Sequence, residues 1–275
     1  MRLYADWHMH TTYSDGHATP EEMVMAAAKL GLEEVAITDH GPRAMFIGVR
    51  DAQVYLEIKQ EAARLSKKYP VRVLVGAEAN VIGLNGALDI PRPIIEELDI
   101  VIAGLHPQVW CVPWWQTLTW ILPNLVGRAT PRVRERMREA NTVALVEAIR
   151  RNPLTFISHP DLMMAVDLDA VAGACAESGC AMEINVGHRY YRDEVVQAAL
   201  RRDVPLVVNS DAHFPNTVGN LAEGAALLEK YNVPPEQVLN ARKHRLIKNY
   251  YDTKYLTRSR NLLLNDEIKR VRGGN

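Results

Sequence analysis

The sequence predicts an α/β fold, a closed or nearly closed seven-stranded (β/α)7 barrel with candidate metal ligands at its carboxyl-terminal rim. Three observations carry this reading. Short apolar runs alternate with amphipathic segments along the chain, the rhythm of right-handed crossovers between parallel strands. The runs are apolar without interruption, as in strands covered on both faces. Seven of them lead into side chains that bind or orient metal: His8 and His10, Asp39 with His40, Glu78, His106, His159, Glu183 with Asn185, and Asp211 with His213. A parallel barrel gathers its strand ends at one rim, where ligands remote in sequence meet.

Strands are expected at 3–6, 34–38, 71–77, 99–104, 155–158, 181–184 and 205–208. The first helix is announced by Thr19-Pro20-Glu21-Glu22, which combines an N-cap, a proline at the first helical position and a capping-box glutamate. Met23, Ala26, Ala27 and Leu30 then share a face, and Gly31 ends it. Further amphipathic helices are expected at 53–69, 131–151, 169–178, 193–202, 218–231 and 235–248.

Hydrophobic residues make up 48% of the 275 and charged residues 24%, the balance of a soluble globular protein with a substantial core. We expect one barrel domain over 1–250 and a basic tail, helical or partly flexible, over 251–275. The net charge of −1 argues against nonspecific nucleic-acid binding by the whole surface. Cys111, Cys175 and Cys180 contain no CxxC pair, which supports neither a disulfide framework nor a cysteine zinc finger. They suit a reducing cytoplasm, and the amino terminus enters strand one without a signal-peptide core. The stretch 109–126 is mostly apolar, but Pro113, Gln116, Thr117, Thr119 and Pro123 make it a lid or packing insertion rather than a membrane span. Its Trp110, Trp114, Trp115 and Trp120 either cap a pocket or, the favoured reading, form a packed excursion or an oligomer contact. Whether the chain forms a homo-oligomer is left open.

His8-Met9-His10 follows strand one directly, and a period of two turns both imidazoles to one side of an extended segment. Histidine and carboxylate together suit zinc, manganese or iron. Asp39 beside His40 reads at least equally as a buried carboxylate that bonds backbone or orients an imidazole. Glu183 and Asn185 read as supports or substrate contacts rather than ligands.

In order along the chain, HMHTTYSDG, ITDHG, VGAEAN, AGLHP, ISHP and NSDAH resemble the motifs of the PHP (polymerase and histidinol phosphatase) family, from Asp6 to about Tyr250. The chain is most similar to the compact bacterial phosphatases of the YcdX-like type. That resemblance implies a distorted seven-stranded barrel with three divalent ions, Zn2+, Mn2+ or Fe2+. It implies that His8, His10, Glu78 and Asp211 hold one ion. Glu78 would bridge to a second ion completed by His106 and His159. His40 and His213 would hold a third with help from the loop after His10, where Asp15 is favoured and His17 is the alternative.

The implied reaction is hydrolysis of a phosphate ester by metal-bound hydroxide, with a small-molecule monoester such as histidinol phosphate or a nucleotide as substrate. Glu78 and Asp211 would serve catalysis through the metals, and His188 is a candidate donor to the phosphate or the leaving group. Arg43 and Arg189 are candidate phosphate clamps. Two rivals stand beside this reading. Arg128, Arg132, Arg134, Arg136 and Arg138 suggest a nuclease, but Glu135 and Glu139 point to a solvated, ion-paired face, so nucleic acid is the disfavoured partner. A noncatalytic metal-binding regulator is the other, and the full complement of ligand positions speaks against it.

Overall fold

The computed structural model describes residues 1–126, 130–190 and 192–242. Seven strands form one sheet in chain order: β1 (Ala5–Asp6), β2 (Glu34–Ile37), β3 (Arg72–Asn80), β4 (Ile100–Gly104), β5 (Phe156–Ile157), β6 (Ala181–Asn185) and β7 (Leu206–Asn209). Every neighbouring pair is parallel. The edges approach at the carboxyl ends through a parallel bridge between Met9 and Ala212, with His10 N–H donating to the Ala212 carbonyl at 2.9 Å. The result is the nearly closed barrel that the strand rhythm predicts.

Helices α1 (Pro20–Leu30) and α2 (Val54–Lys68) follow β1 and β2, and a single turn, α3 (Arg92–Ile95), follows β3. After β4 come a π-helical turn (Thr117–Ile121), α4 (Leu122–Val126) and α5 (Pro131–Arg151). The remaining crossovers are α6 (Leu168–Ser178), α7 (Arg192–Arg201) and α8 (Ala222–Lys230). The cap of α1 is the one its sequence announces. Thr19 accepts from Glu22 N–H, the Glu22 carboxylate accepts from Thr19 N–H, and Gly31 closes the helix at φ 73°.

Two apolar layers sit on the two faces of the sheet. Ala5, Trp7, Ala36, Leu74, Ile100, Ile102, Phe156, Ala181 and Val207 form the inner one. The alternate residues Val35, Ile37, Val73, Val75, Val101 and Ala103 join the outer layer under the helices. This alternation, one residue in and the next out, positions the site. On β3 the parity of Leu74 carries on to Glu78 and Asn80, and on β6 the parity of Ala181 carries on to Glu183 and Asn185. The inner row is thus apolar at the floor and polar at the rim.

Two expected helices need correction. The segment 235–248 is not helical where described: a 3-10 turn spans Pro235–Gln237, Val238 bridges to Leu206 of β7, and a turn at Leu239 and Asn240 brings Ala241 to Leu3. Asn240 decides this, because its side-chain amide donates to the carbonyls of Ala5 and Val208 and its oxygen accepts from Val208 N–H. The helix expected at 218–231 begins only at Ala222, because Gly219 N–H is held by the Asp6 carboxylate at 2.9 Å. Residues 243–248 of the first segment, the tail at 251–275 and Arg128 lie outside the described residues. The excursion at 109–126 packs through buried Trp120, whose indole N–H donates to Asn141 on α5, and leaves Trp110, Trp114 and Trp115 exposed. Among the described residues, no helix is long and apolar enough to cross a membrane.

Candidate metal centre

At the rim, Glu78 stands at the middle of five imidazoles. Its Oε1 lies 2.9 Å from His159 Nε2 and 3.4 Å from His106 Nε2. Its Oε2 lies 2.9 Å from His40 Nδ1, 3.4 Å from His8 Nε2 and 3.6 Å from His10 Nε2. The two oxygens therefore face different histidines. Asp211 adds a second carboxylate, with Oδ1 at 3.1 Å from His10 Nε2 and 3.5 Å from His8 Nε2. Asp15 adds a third, facing His10 Nδ1 at 3.6 Å, His40 Nε2 at 3.7 Å and His213 Nε2 at 3.4 Å.

Three overlapping groups of these donors are compact enough to hold a cation: His8, His10 and Asp211; His40, Glu78 and His106; and His10, Asp15, His40 and His213, with His10 and His40 able to serve in either of two. Of the two loop candidates, the fold brings in Asp15. His17 is corrected: it is exposed, and its ring stacks on Phe214 with centroids 4.3 Å apart and planes at 8°.

The residues fit cations on their own chemistry. Among the described residues, His8 Nε2, both nitrogens of His10, His40 Nδ1, His106 Nε2, both oxygens of Glu78 and Asp211 Oδ1 are buried without a hydrogen-bond partner. Each such atom costs about 1–3 kcal/mol when left bare, and a cluster of them built of imidazoles and carboxylates fits divalent cations. Electrostatics agrees. Burial opposes the charged forms of Glu78 and Asp211, but the surrounding histidines outweigh it and hold both carboxyls well below their ordinary range. Burial and the neighbouring His40 push His10 down to about 3, leaving it neutral and able to bind.

A ring of hydrogen bonds aims the donors. Glu183 Oε1 lies 2.7 Å from His8 Nδ1, and Asn80 Oδ1 lies 2.7 Å from His106 Nδ1, which leaves each Nε2 facing inward. Glu183 Oε2 accepts from His159 N–H at 2.8 Å. Asn185 donates to both Glu183 and Asp211, at 3.1 and 2.9 Å. Asp39 points away from the donors. It accepts from Thr11 N–H, Thr11 Oγ1 and Ser14 Oγ, and so shapes the loop that carries Asp15. His159 and Asp211 hold φ of 26° and 51°, a backbone strain stored at two donor positions.

Sequence reasoning missed Asn80, Asp89 and Asn209. Asn80 was within reach, since a period of two places it beside Glu78 on the inner face. Asp89, which accepts from Asn80 Nδ2 at 2.6 Å, and Asn209, which donates to Glu183 at 2.9 Å, belong to contacts that only the closed barrel creates.

Beside the cluster opens a cleft of about 430 Å³ lined by His17, His188, Asp211, His213, Phe214 and Asn220 among others. His188 is 41% exposed in its side chain and places Nε2 3.2 Å from Asp211 Oδ2. Arg43 and Arg189 are exposed and do not line this cleft, and neither do the tryptophans of the excursion. The candidate arginine clamps are thus absent from it, and so is the aromatic cap, the less favoured reading of the tryptophans.

Unpartnered imidazoles and carboxylates gathered at a barrel rim define a metal-dependent hydrolase centre. Comparison with known proteins then specifies the family. The chain belongs to the PHP domain family, whose model matches residues 6–259, and it is a metal-dependent phosphoesterase. It is 32% identical over 251 residues to a protein of Caldanaerobacter subterraneus named as a probable phosphatase, covering 87% of this chain and 88% of that one. It is 28% identical over 259 residues to another so named from Clostridium acetobutylicum, covering 90% and 94%. The barrel resembles the histidinol phosphate phosphatase of Lactococcus lactis, solved with zinc, L-histidinol and phosphate, with a TM-score of 0.56, 16% identity, and 83% and 93% coverage.

Proposed function

We propose that this protein is a phosphatase that removes the phosphoryl group from small-molecule monoesters, using three divalent cations held among these donors. The observation that carries the reading is the set of buried, unpartnered donors, of which Asp211 reaches the wall of an open cleft that His188 and His213 also line. Bound divalent cations supply a deprotonated water near neutral pH and counter-charge for the phosphoryl oxygens. His8, His10, Glu78 and Asp211 would hold one ion, Glu78 with His106 and His159 a second, and His40 and His213 with Asp15 a third.

The chain's own residues do the remaining work. Glu183 and Asn80 fix the tautomers of His8 and His106, so that neither ring turns as substrate enters. His188 reaches the cleft with a ring nitrogen beside Asp211 Oδ2, and a proton held there is placed to pass to the departing oxygen. The nuclease reading loses support at the same point, because the cleft lining carries neither lysine nor arginine.

The test is phosphate release from monoesters and diesters by manganese- or zinc-loaded protein, with a chelated control. Metal-dependent release from monoesters is expected, and release confined to diesters or oligonucleotides would replace the reading with the nuclease. His188→Asn should slow an alkyl phosphate by about 10²–10⁴-fold and p-nitrophenyl phosphate far less, since nitrophenolate leaves without a proton. Equal losses on both would remove His188 from the acid role.

A further inference from the structure

The His17–Phe214 stack has no part in holding metal, yet it stands at the edge of the cleft. The two rings are parallel, 4.3 Å apart, and both line the cavity. Their position is fixed by the metal-bearing loops themselves. His17 lies two residues past Asp15, and its N–H donates to the His213 carbonyl at 2.8 Å. Phe214 follows His213 directly. Thr217 Oγ1 donates to the Phe214 carbonyl at 2.8 Å, and Gly219 is tied to Asp6. The rings therefore keep a set distance from the donors while Phe214 remains 45% exposed. An aromatic ring held out toward water, one face covered by a partner ring, presents its remaining face and edge to whatever enters.

The cleft of about 430 Å³ is also larger than a phosphoryl group needs. Pockets from roughly 300 Å³ upward take ligands of drug size, so most of this space belongs to the leaving group. Its lining sets that group's charge. His17, His188, His213 and Asp211 are the titratable members, and no lysine or arginine accompanies them. A second phosphate would lie away from the metal donors with no fixed cation to meet it. Ser210, Thr217 and Asn220 add neutral hydrogen-bonding groups, and Val186 and Gly187 complete the lining.

We propose that the His17–Phe214 pair is the leaving-group platform, selecting monoesters that carry a planar ring with a hydrogen-bonding edge and no second phosphate. This rests on the phosphomonoesterase reading of the adjoining site, and the experiment separates the two. Manganese-loaded protein is titrated calorimetrically with phenylphosphonate and with ethylphosphonate, which share a head group and cannot be hydrolysed. Offset stacking of aromatic rings should make the phenyl compound bind about tenfold tighter. Phe214→Ala should reduce that preference to about twofold or less, and Phe214→Trp should restore it. The side chain is surface-exposed, so both variants keep the core intact. Equal binding of the two phosphonates by the parent protein, or an undiminished preference in Phe214→Ala, overturns the platform. Tighter binding of a nucleoside diphosphate than of phenylphosphonate overturns the single-phosphate rule. Phosphate release from phenyl phosphate is followed in parallel. A ring preference without turnover upholds the platform and removes the phosphatase reading, and turnover without preference does the reverse.

Discussion

Glu183 never reaches the cleft, yet it holds the ring of His8, the backbone N–H of His159 and the side-chain amides of Asn185 and Asn209. A carboxylate with such partners governs how firmly two donors are aimed, and losing such a support costs about 10–100-fold in metal affinity. Glu183→Gln should therefore weaken manganese binding by that factor in competition with a chelator, with little change in the far-ultraviolet circular dichroism. Undiminished affinity would make Glu183 merely structural. His213 gives a second prediction. Burial opposes its charge, but the Asp15 carboxylate and the charge of Asp211 outweigh it and raise the imidazole to about 9 in the metal-free protein. A group raised above its ordinary 6.5 is protonated at pH 7.5 and must lose that proton to bind metal. Calorimetry in buffers of different ionisation enthalpy should register proton release at pH 7.5 that fades above pH 9, and affinity should climb with pH over the same window. At this scale the HMH spacing and the carboxylates at strand ends were legible, because alternation along a strand is a local rule. The roles of Asp89 and Phe214 were not, since both come from loops that meet the site only after folding.

Strand β4 shows how an element limits what its neighbours can be. Gly104 lies where an added Cβ would come within 2.6 Å of Ser158 Oγ and 2.7 Å of His106 Cε1. Gly104→Ala should displace the His106 ring, lowering metal content measured by atomic absorption more than it lowers the melting temperature. The opposite ordering would mean that the strand, not the ring, bears the clash. Helix α1 gives a milder case: Thr19→Ala removes the capping oxygen and should cost about 1 kcal/mol in urea unfolding. Elements were legible where their stop and start chemistry is local, as at Thr19 and Gly31. They were misread where a long-range bond overrides propensity. Asn240 ties residues 238–241 against β7, and Asp6 delays α8 by holding Gly219, and neither bond has a counterpart in the neighbouring sequence.

Taken whole, the barrel is a sheet whose order repeats the order of the chain, which is why strand counting alone reached its architecture. That order also sets β1 beside β7, and the donor set draws on both: His8 and His10 from one, Asp211 and His213 from the other. Ligands that bind only the native state stabilise it by about 2.7 kcal/mol at a hundredfold excess over Kd. In a chain of this size that corresponds to roughly 5–10 °C. Chelation should lower the melting temperature by that amount and raise amide exchange first at Met9 and Ala212. Uniform exchange along the sheet would deny the seam any special role. The same adjacency has a consequence during synthesis. A ribosome delivers His8 about two hundred residues before Asp211, at about 5–20 residues per second, so the nascent chain waits some ten seconds or more with its first histidines uncommitted. Throughout that interval the growing polypeptide holds an incomplete chelate with an open flank, and the cell's metal supply meets a finished centre only when the last strand arrives to clasp the first.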